Sequence, residues 1–164
     1  MTTRPEEARD ADAIREITQQ AFSAAEHSSG TEGAIIDGLR AARSLSLSLV
    51  AEDDGSVIGH VALTPVVVDG DEAGWFGLDP VSVAPGVQGA GTGSRLIREG
   101  LAHLRSAEAG GGVVLGSPGY YRRFGFKVDP ALTFDGAPPE YFMVLPFGDT
   151  TLSGHVAYQP AFSM

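Results

Sequence analysis

Apolar residues recur at helical spacing in several segments of the chain. In the first of these segments Ile14, Ile17 and Phe22 fall on one face, and charged residues fall on the other. A His-Ser-Ser-Gly sequence follows it and indicates a loop before the next segment. The pattern predicts helices over residues 10–22, 32–40 and 94–107, and a short fourth helix over residues 120–124.

Elsewhere the pattern has the period of two that is typical of strands. It covers residues 46–51, 57–68 and 75–83, and acidic turns ending in or containing glycine separate these runs, so we expect antiparallel hairpins. The wholly apolar run Val113–Leu115 follows a helix and is typical of a central strand entered through a crossover. Shorter strands are predicted at residues 2–4, 141–146 and 155–158. Together these elements predict an α/β (α+β) fold: a mixed, mostly antiparallel sheet of six or seven strands flanked by about four helices.

Composition narrows the possible classes of protein. A chain of 164 residues with 43% apolar residues predicts one domain, spanning residues 1–164. The formal net charge of −10 argues against general nucleic-acid binding or membrane binding, since both need a basic surface. Without cysteine there is no disulfide, thiolate zinc site or cysteine nucleophile. The N-terminus has no apolar targeting segment, so we expect a cytoplasmic protein.

A glycine-rich turn precedes the helix at 94–107, and such a turn at a helix N-terminus suits an anion. Gly86 to Gly91 has the spacing of a phosphate-binding P-loop, but Thr92 stands where that loop needs lysine. A dinucleotide fingerprint fits no better, because the third glycine, Gly93, comes one position early. The pattern that does match is Q-x-x-G-x-G, over residues 88–93.

With this loop, and with the aromatic sequence Tyr-Tyr-Arg-Arg-Phe-Gly-Phe at 120–126, the chain resembles the GNAT superfamily of N-acetyltransferases. Within it, the chain is similar to a bacterial branch whose late motif reads roughly G-x-P-x-Y-Y-x-R-F-G-F. The resemblance implies a GNAT-like fold and acetyl-coenzyme A as cosubstrate. Asp79 and Ser117 depart from the residues usual in that branch, and the resemblance places both near the acceptor.

The resemblance also implies roles for individual residues. Backbone groups of Val81, Ser82 and Val83 are expected to meet the acetyl group and the pantetheine arm. The coenzyme diphosphate is expected on the loop and helix start formed by Gln88, Gly89, Ala90, Gly91, Thr92, Gly93 and Ser94. Arg122 and Arg123, or Arg95 and Arg98, either reach the coenzyme phosphates or only solvate helix surfaces, where cations near a C-terminus are favoured.

Acetyl transfer to an amine needs a proton donor for the leaving thiolate and a base for the amine. The resemblance implies that Tyr121 is the donor, and a tyrosine is protonated at neutral pH, as a donor must be. The alternatives are that Tyr120 faces the site or that neither tyrosine acts. Asp79 and Glu26 are the preferred candidates for the base, and relatives often use a water chain instead. His60 is expected to be a hydrogen-bonded structural residue.

The predicted function is direct acetyl transfer from acetyl-coenzyme A to a primary amine in a ternary complex, since no cysteine or activated serine can carry the acetyl group. The alternative is a non-catalytic module that senses acetyl-coenzyme A. Residues 1–80 hold 15 acidic and 5 basic side chains, which suggests a cationic acceptor, either a small amine or a peptide amine. The histidines lack ligand spacing, so no metal is predicted. A homodimer is plausible through Tyr141, Phe142 and Phe147, although such aromatics more often pack internally.

Overall fold

The computed structural model describes residues 1–23, 47–87, 91–148 and 152–158. These ranges contain eight strands and three α-helices, in the predicted order with one strand added. The second predicted helix, over residues 32–40, lies outside the described residues. The elements are β1 (Thr2–Pro5), α1 (Ala11–Ser23), β2 (Leu47–Asp53), β3 (Ser56–Val68), β4 (Asp71–Val83), α2 (Thr92–Ser106), β5 (Gly111–Leu115), α3 (Pro118–Tyr121), β6 (Leu132–Thr133), β7 (Phe142–Pro146) and β8 (Gly154–Ala157).

The strands form one mixed sheet in the order β1-β2-β3-β4-β5-β7. Neighbours along this order are antiparallel except β4 and β5, which run parallel because α2 connects them as a crossover. Strand β8 pairs with the second half of β3 and, in parallel, with the two-residue strand β6. The mixed and mostly antiparallel sheet expected from the hydrophobic pattern is therefore confirmed.

The two predicted hairpins close through turns with left-handed backbone. Asp54 and Gly55 have φ of 50° and 78°, and Asp69 and Gly70 have φ of 52° and 87°. Two consecutive residues with positive φ match the right-handed twist of the flanking strands, and Asp-Gly is a preferred pair there. The acidic turn sequences therefore set the pairing of β2, β3 and β4.

The two faces of the sheet carry separate hydrophobic clusters. Val114 belongs to the cluster under α2, whereas its neighbours Val113 and Leu115 belong to or pack against the other. Since successive side chains of a strand point to opposite faces, the clusters lie on opposite sides of the sheet. We call these sides the α2 face and the β8 face.

A partly buried cluster of one arginine and two carboxylates fixes the start of the chain to the sheet. Arg4 of β1 donates from Nη1 to Asp10 Oδ2 at 2.7 Å, and from Nη2 to Glu52 of β2 at 2.8 Å. The hydrogen bond from Arg4 is the main cause that lowers the pKa of Asp10 to about 2, with a smaller contribution from the Glu7 backbone N–H. Arg4 and Asp10 thereby link the start of α1 to β1 and β2.

The structure differs from the predicted elements in several places. The helix predicted over residues 120–124 begins at Pro118 as α3, and Arg122–Phe124 continue it as a 3-10 helix. Strand β4 begins at Asp71 rather than Trp75, because the tight turn at Asp69 and Gly70 starts pairing at once. Strand β6 has only two residues, too few to show a period, and was not predicted. Among the described residues no helix is long and apolar enough to cross a membrane.

Two of the three late aromatic residues proposed for a dimer contact, Phe142 and Phe147, pack within the molecule, and Tyr141 lines a cavity. Phe142 is buried and stacks on Phe134 with ring centroids 5.3 Å apart. Phe147 packs against the α2-face cluster, and the guanidinium of Arg105 lies 4.6 Å from its ring centroid. Homodimerisation therefore gains no support from these residues and stays a prediction.

Candidate active site

The parallel strands β4 and β5 separate at one end of the sheet. They pair at Trp75 with Gly111, at Phe76 with Gly112 and finally at Gly77 with Val113. Beyond that last pair, β4 continues to Val83 while β5 ends at Leu115 and turns into α3. The result is a cleft between the two strands, with an edge of β4 backbone that no described strand covers.

The N-terminus of α2 lies at this cleft. Gly91 occupies the N-cap with φ of 85°, a left-handed conformation that costs a non-glycine residue free energy. The first amides of the helix, from Thr92 onward, lack partners within the helix and concentrate positive potential there. Gly91, Thr92, Gly93 and Ser94 therefore stand where an anion would bind, whereas Gln88, Gly89 and Ala90 lie outside the described residues.

Three elements converge at Gly93. A Cβ atom at Gly93 would lie 3.4 Å from Val83 at the end of β4 and 3.2 Å from the hydroxyl oxygen of Tyr120 in α3. The Tyr120 hydroxyl is also 3.2 Å from Ser94 Oγ. A ligand that extends from the α2 N-terminus along β4 would therefore pass between Val83 and Tyr120.

The backbone of β4 offers donors to the cleft. Ala84 donates its N–H to the Ile58 carbonyl oxygen of β3 at 2.8 Å, and N–H groups alternate between the two edges of a strand. The N–H groups of Val83 and Val81 thus point to the open edge, and that of Ser82 points towards β3. The Ser82 side chain faces α1 instead, where Oγ donates to Thr18 Oγ1 at 3.2 Å.

A shift of register in β4 marks the same region. Val61 of β3 pairs with Val81, and Leu63 pairs with Leu78, so two β4 residues oppose one β3 residue between these pairs. Those two residues are Asp79 and Pro80. The bulge places the backbone of Asp79 at the beginning of the open edge, while its side chain lies outside the described residues.

Tyr121 lies at the other wall of the cleft. Its ring is nearly buried on the α2 face, and a Cβ atom added to Gly116 would come within 2.4 Å of the ring carbon Cε2. Gly116 directly follows β5, so Tyr121 packs where β5 leaves the sheet. Tyr120 instead reaches the start of α2, so the two neighbouring tyrosines contact different parts of the cleft.

The arginines considered for phosphate binding have different surroundings. The guanidinium of Arg123 lies 4.6 Å from the ring centroid of Tyr120, beside the start of α2, and that of Arg98 lies 5.3 Å from the ring of Phe124. Arg95 forms an ion pair with Glu99 one turn later at 3.3 Å. Arg123 thus reaches the α2 N-terminus through Tyr120, whose hydroxyl oxygen lies 3.2 Å from Ser94 Oγ.

The structure describes only some of the residues considered as the base. Glu26 lies outside the described residues. His60 is fully buried, and its Nε2 is 2.6 Å from Ser48 Oγ, as expected for a hydrogen-bonded structural histidine. The assignment of the base to Asp79 or Glu26 therefore stays a prediction.

Two adjoining cavities lie on the β8 face, against the end of β5. The first, of about 530 Å³, is lined by Leu115, Gly116, Ser117 and Tyr141 among others. The second, of about 380 Å³, shares Leu115 and Gly136 with it and extends along β8 to Tyr158. Ser117, which departs from the branch resembled by the sequence, thus lines a cavity beside the cleft.

The sequence did not reveal most residues of these cavities. Phe134, Asp135 and Gly136 belong to a loop without periodicity, and Tyr158 follows the last strand. Only the isolated Asp-Gly pair after Phe134 signals a turn, and it carries no chemical information. Within the ranges that the structure describes, no group of three metal-ligating side chains comes together, and the absence of a metal stays a prediction.

Comparisons with known proteins identify the family of this chain. A family profile described as the GNAT acetyltransferase domain matches residues 2–128. The uncharacterized N-acetyltransferase YhbS of Escherichia coli strain K12 is 38% identical over 120 residues, which are 73% of this chain and 69% of YhbS. Two crystal structures are also similar in fold.

The first is a GNAT family acetyltransferase from Brucella melitensis in complex with acetyl-CoA, with a TM-score of 0.88, 52% sequence identity and coverage of 98% of this chain and 97% of that one. The second is YhbS from Escherichia coli in complex with CoA, with a TM-score of 0.91, 32% identity and coverage of 99% and 92%. The chain belongs to the GNAT family and is an N-acetyltransferase, as the sequence resemblance implied.

Proposed function

We propose that the protein transfers an acetyl group from acetyl-coenzyme A to a primary amine by direct attack in a ternary complex. The observation that carries this proposal is the convergence of Val83, Gly93 and Tyr120 at the open edge of β4. A diphosphate on the α2 N-terminus would leave the pantetheine arm directed along that edge. The similar structures from Brucella melitensis and Escherichia coli were solved with acetyl-CoA and CoA, which supports this ligand.

The diphosphate would accept hydrogen bonds from the amides at the start of α2. The residues we propose for it are Gln88, Gly89, Ala90, Gly91, Thr92, Gly93 and Ser94. Gly91 supports this role because its left-handed conformation turns the loop into the helix, and no heavy atom of the described residues lies within 4 Å of where its Cβ would be. Arg123 would add positive charge from its position over Tyr120.

The reaction needs donors for the oxygen of the thioester. As the amine nitrogen attacks the carbonyl carbon, negative charge develops on that oxygen, and fixed N–H groups stabilise it. The N–H groups of Val81 and Val83 point to the open edge and are the donors we propose. Ser82 would hold this end of β4 in place through its hydrogen bond to Thr18 of α1.

The C–S bond then breaks, and the leaving thiolate takes a proton. We propose Tyr121 as its source, because Tyr121 packs at the end of β5 whereas Tyr120 is directed to the helix start. As the amide forms, the attacking nitrogen gives up a proton that restores the Tyr121 hydroxyl. Before the attack, the ammonium group of the acceptor passes its first proton to a base, for which Asp79 and Glu26 are the candidates. The acceptor is proposed to be a cationic small amine or peptide amine that loses this proton on the enzyme.

Two measurements on the purified protein test the proposal. Calorimetry should detect binding of acetyl-coenzyme A, and thiol release should accelerate when primary amines are added. Binding without thiol release for any amine would favour the sensing alternative. Failure of both acetyl-coenzyme A and coenzyme A to bind would refute the proposal as a whole.

A further inference from the structure

We infer that the two adjoining cavities on the β8 face receive the acceptor, and that the acceptor is a small monoamine with an apolar, ring-sized body. This inference rests on the proposed function, because it assumes that the thioester enters the cleft from the α2 face. It assigns the acceptor side to residues of the late loop and β8. The following contacts support it.

The position of the cavities relative to the cleft is the first argument. Leu115 and Gly116 line the larger cavity, and Gly116 carries the Tyr121 ring on its other side. On the β8 face, Tyr158 covers Gly77, the last β4 residue paired with β5, since a Cβ atom there would lie 2.6 Å from its ring carbon Cε1. The cavities and the proposed proton donor thus lie on opposite faces of the sheet at the point where the strands separate.

The walls of the cavities are aromatic and aliphatic. The Phe134 ring stacks on Phe142 and meets Tyr158 edge to face, with centroid distances of 5.3 Å in both pairs. Leu115 and Ala137 complete the apolar lining. Such walls favour an apolar body by removing its surface from water, and their volumes fall in the usual range for small-molecule sites.

The charges at the mouth favour a single cation. Asp135 is the only carboxylate, and no lysine or arginine occurs, among the described residues that line the two cavities. Asp135 lies 3.4 Å from Nε2 of His155, whose backbone N–H donates to Asp69 at 2.9 Å. This exposed carboxylate would attract a cationic amine to the mouth, and the amine would lose its charge before its nitrogen reaches the thioester. A polyamine would instead carry further charges into an apolar space.

The first test compares two probe amines in the thiol-release assay with saturating acetyl-coenzyme A. We expect kcat/KM for 2-phenylethylamine to exceed that for spermidine by about tenfold or more, since burial of a ring in an apolar site is worth at least that factor. A preference for spermidine, or for a short peptide with a free N-terminus, would overturn the inference.

The second test uses matched pairs of variants. Ala137→Phe places a ring in the larger cavity and should raise the amine KM by about tenfold. Ala131→Phe introduces the same ring beside Trp75 and Lys127, in a separate cavity, and should leave that KM unchanged. Asp135→Asn should raise the amine KM by about threefold, since an exposed ion pair is worth little, whereas Glu140→Gln on the nearby surface should not change it.

The coenzyme Kd separates the failure of this inference from that of the proposed function. All four variants should bind acetyl-coenzyme A as the wild type does. Normal binding and thiol release, with each variant equal to its control, would overturn the acceptor assignment and leave the proposed function intact. Absence of coenzyme binding in the wild type would overturn both.

Discussion

Gly91 gives the sharpest test of the proposed coenzyme site. Its φ of 85° places it in the left-handed region, and its missing Cβ would meet no heavy atom of the described residues within 4 Å. Gly91→Ala therefore acts through backbone conformation and not through a steric clash with the described residues. Gly70, in the turn at the far end of β3, has φ of 87° and equally open surroundings, so Gly70→Ala is a matched control.

The expected magnitude follows from the left-handed conformation. An L residue with a Cβ pays about 1–2 kcal/mol there, and an alanine at position 91 would favour a right-handed loop in the free protein. Coenzyme binding would have to restore the original loop. The Kd for acetyl-coenzyme A should therefore rise by a factor between about 5 and 30.

Both substitutions should lower stability, but only Gly91→Ala should weaken binding. Urea unfolding followed by the fluorescence of Trp75, the single tryptophan and a buried one, measures the first effect. Calorimetric titration with acetyl-coenzyme A measures the second. Equal Kd values for Gly91→Ala and the wild type, or equal weakening by Gly70→Ala, would refute the reasoning.

Other substitutions test single contacts. Tyr121→Phe keeps the packed ring and removes the hydroxyl, so turnover in the thiol-release assay should fall about a hundredfold with unchanged coenzyme Kd, and normal turnover would exclude Tyr121 as the acid. Arg123→Gln should weaken coenzyme binding about threefold in low salt by calorimetry, whereas Arg122→Gln should not. Asp10→Asn should lower the free energy of unfolding at pH 6 by roughly 2 kcal/mol, because the bond from Arg4 holds the pKa of Asp10 at about 2 instead of 3.8. This stabilisation is fully present above pH 3.8 and is lost as the pH falls through about 2. The free energy of unfolding, measured with urea at pH 6 and at pH 2, should therefore change less with pH in Asp10→Asn than in the wild type.

Much of the fold was predictable because it is specified by local signals. The Asp-Gly turns set the two hairpins through positive φ, and the wholly apolar run at Val113–Leu115 identified the central strand. Strand β6 could not be predicted, because its two residues pair with β8 some twenty positions later. The bulge opposite Ala62 was also invisible, since one extra residue in β4 leaves the hydrophobic pattern almost unchanged.

The two sides of the candidate site differ in the same way. The proposed coenzyme side lies on consecutive residues, so a glycine-rich loop before an amphipathic helix is enough to propose it from the sequence. The choice of Tyr121 over Tyr120 rested on the family resemblance. The pattern of residues alone does not distinguish the two tyrosines, because their contacts, Ser94 for Tyr120 and Gly116 for Tyr121, lie in different elements. Glu26 and residues 88–90 lie outside the described residues, and their roles stay predictions.

The acceptor side depends on contacts that are distant in the sequence. One face of the sheet brings together Gly77 of β4, Leu115 of β5 and Tyr158 after β8. They share this face because α2 connects β4 to β5 across the sheet and because β8 pairs beside β3. The charge pattern of residues 1–80 suggested a cationic acceptor, yet the one described carboxylate at the cavities, Asp135, lies far outside that segment. If these cavities receive the acceptor, as we infer, specificity for the amine depends on the late loop and β8 and not on the glycine loop that would hold the coenzyme.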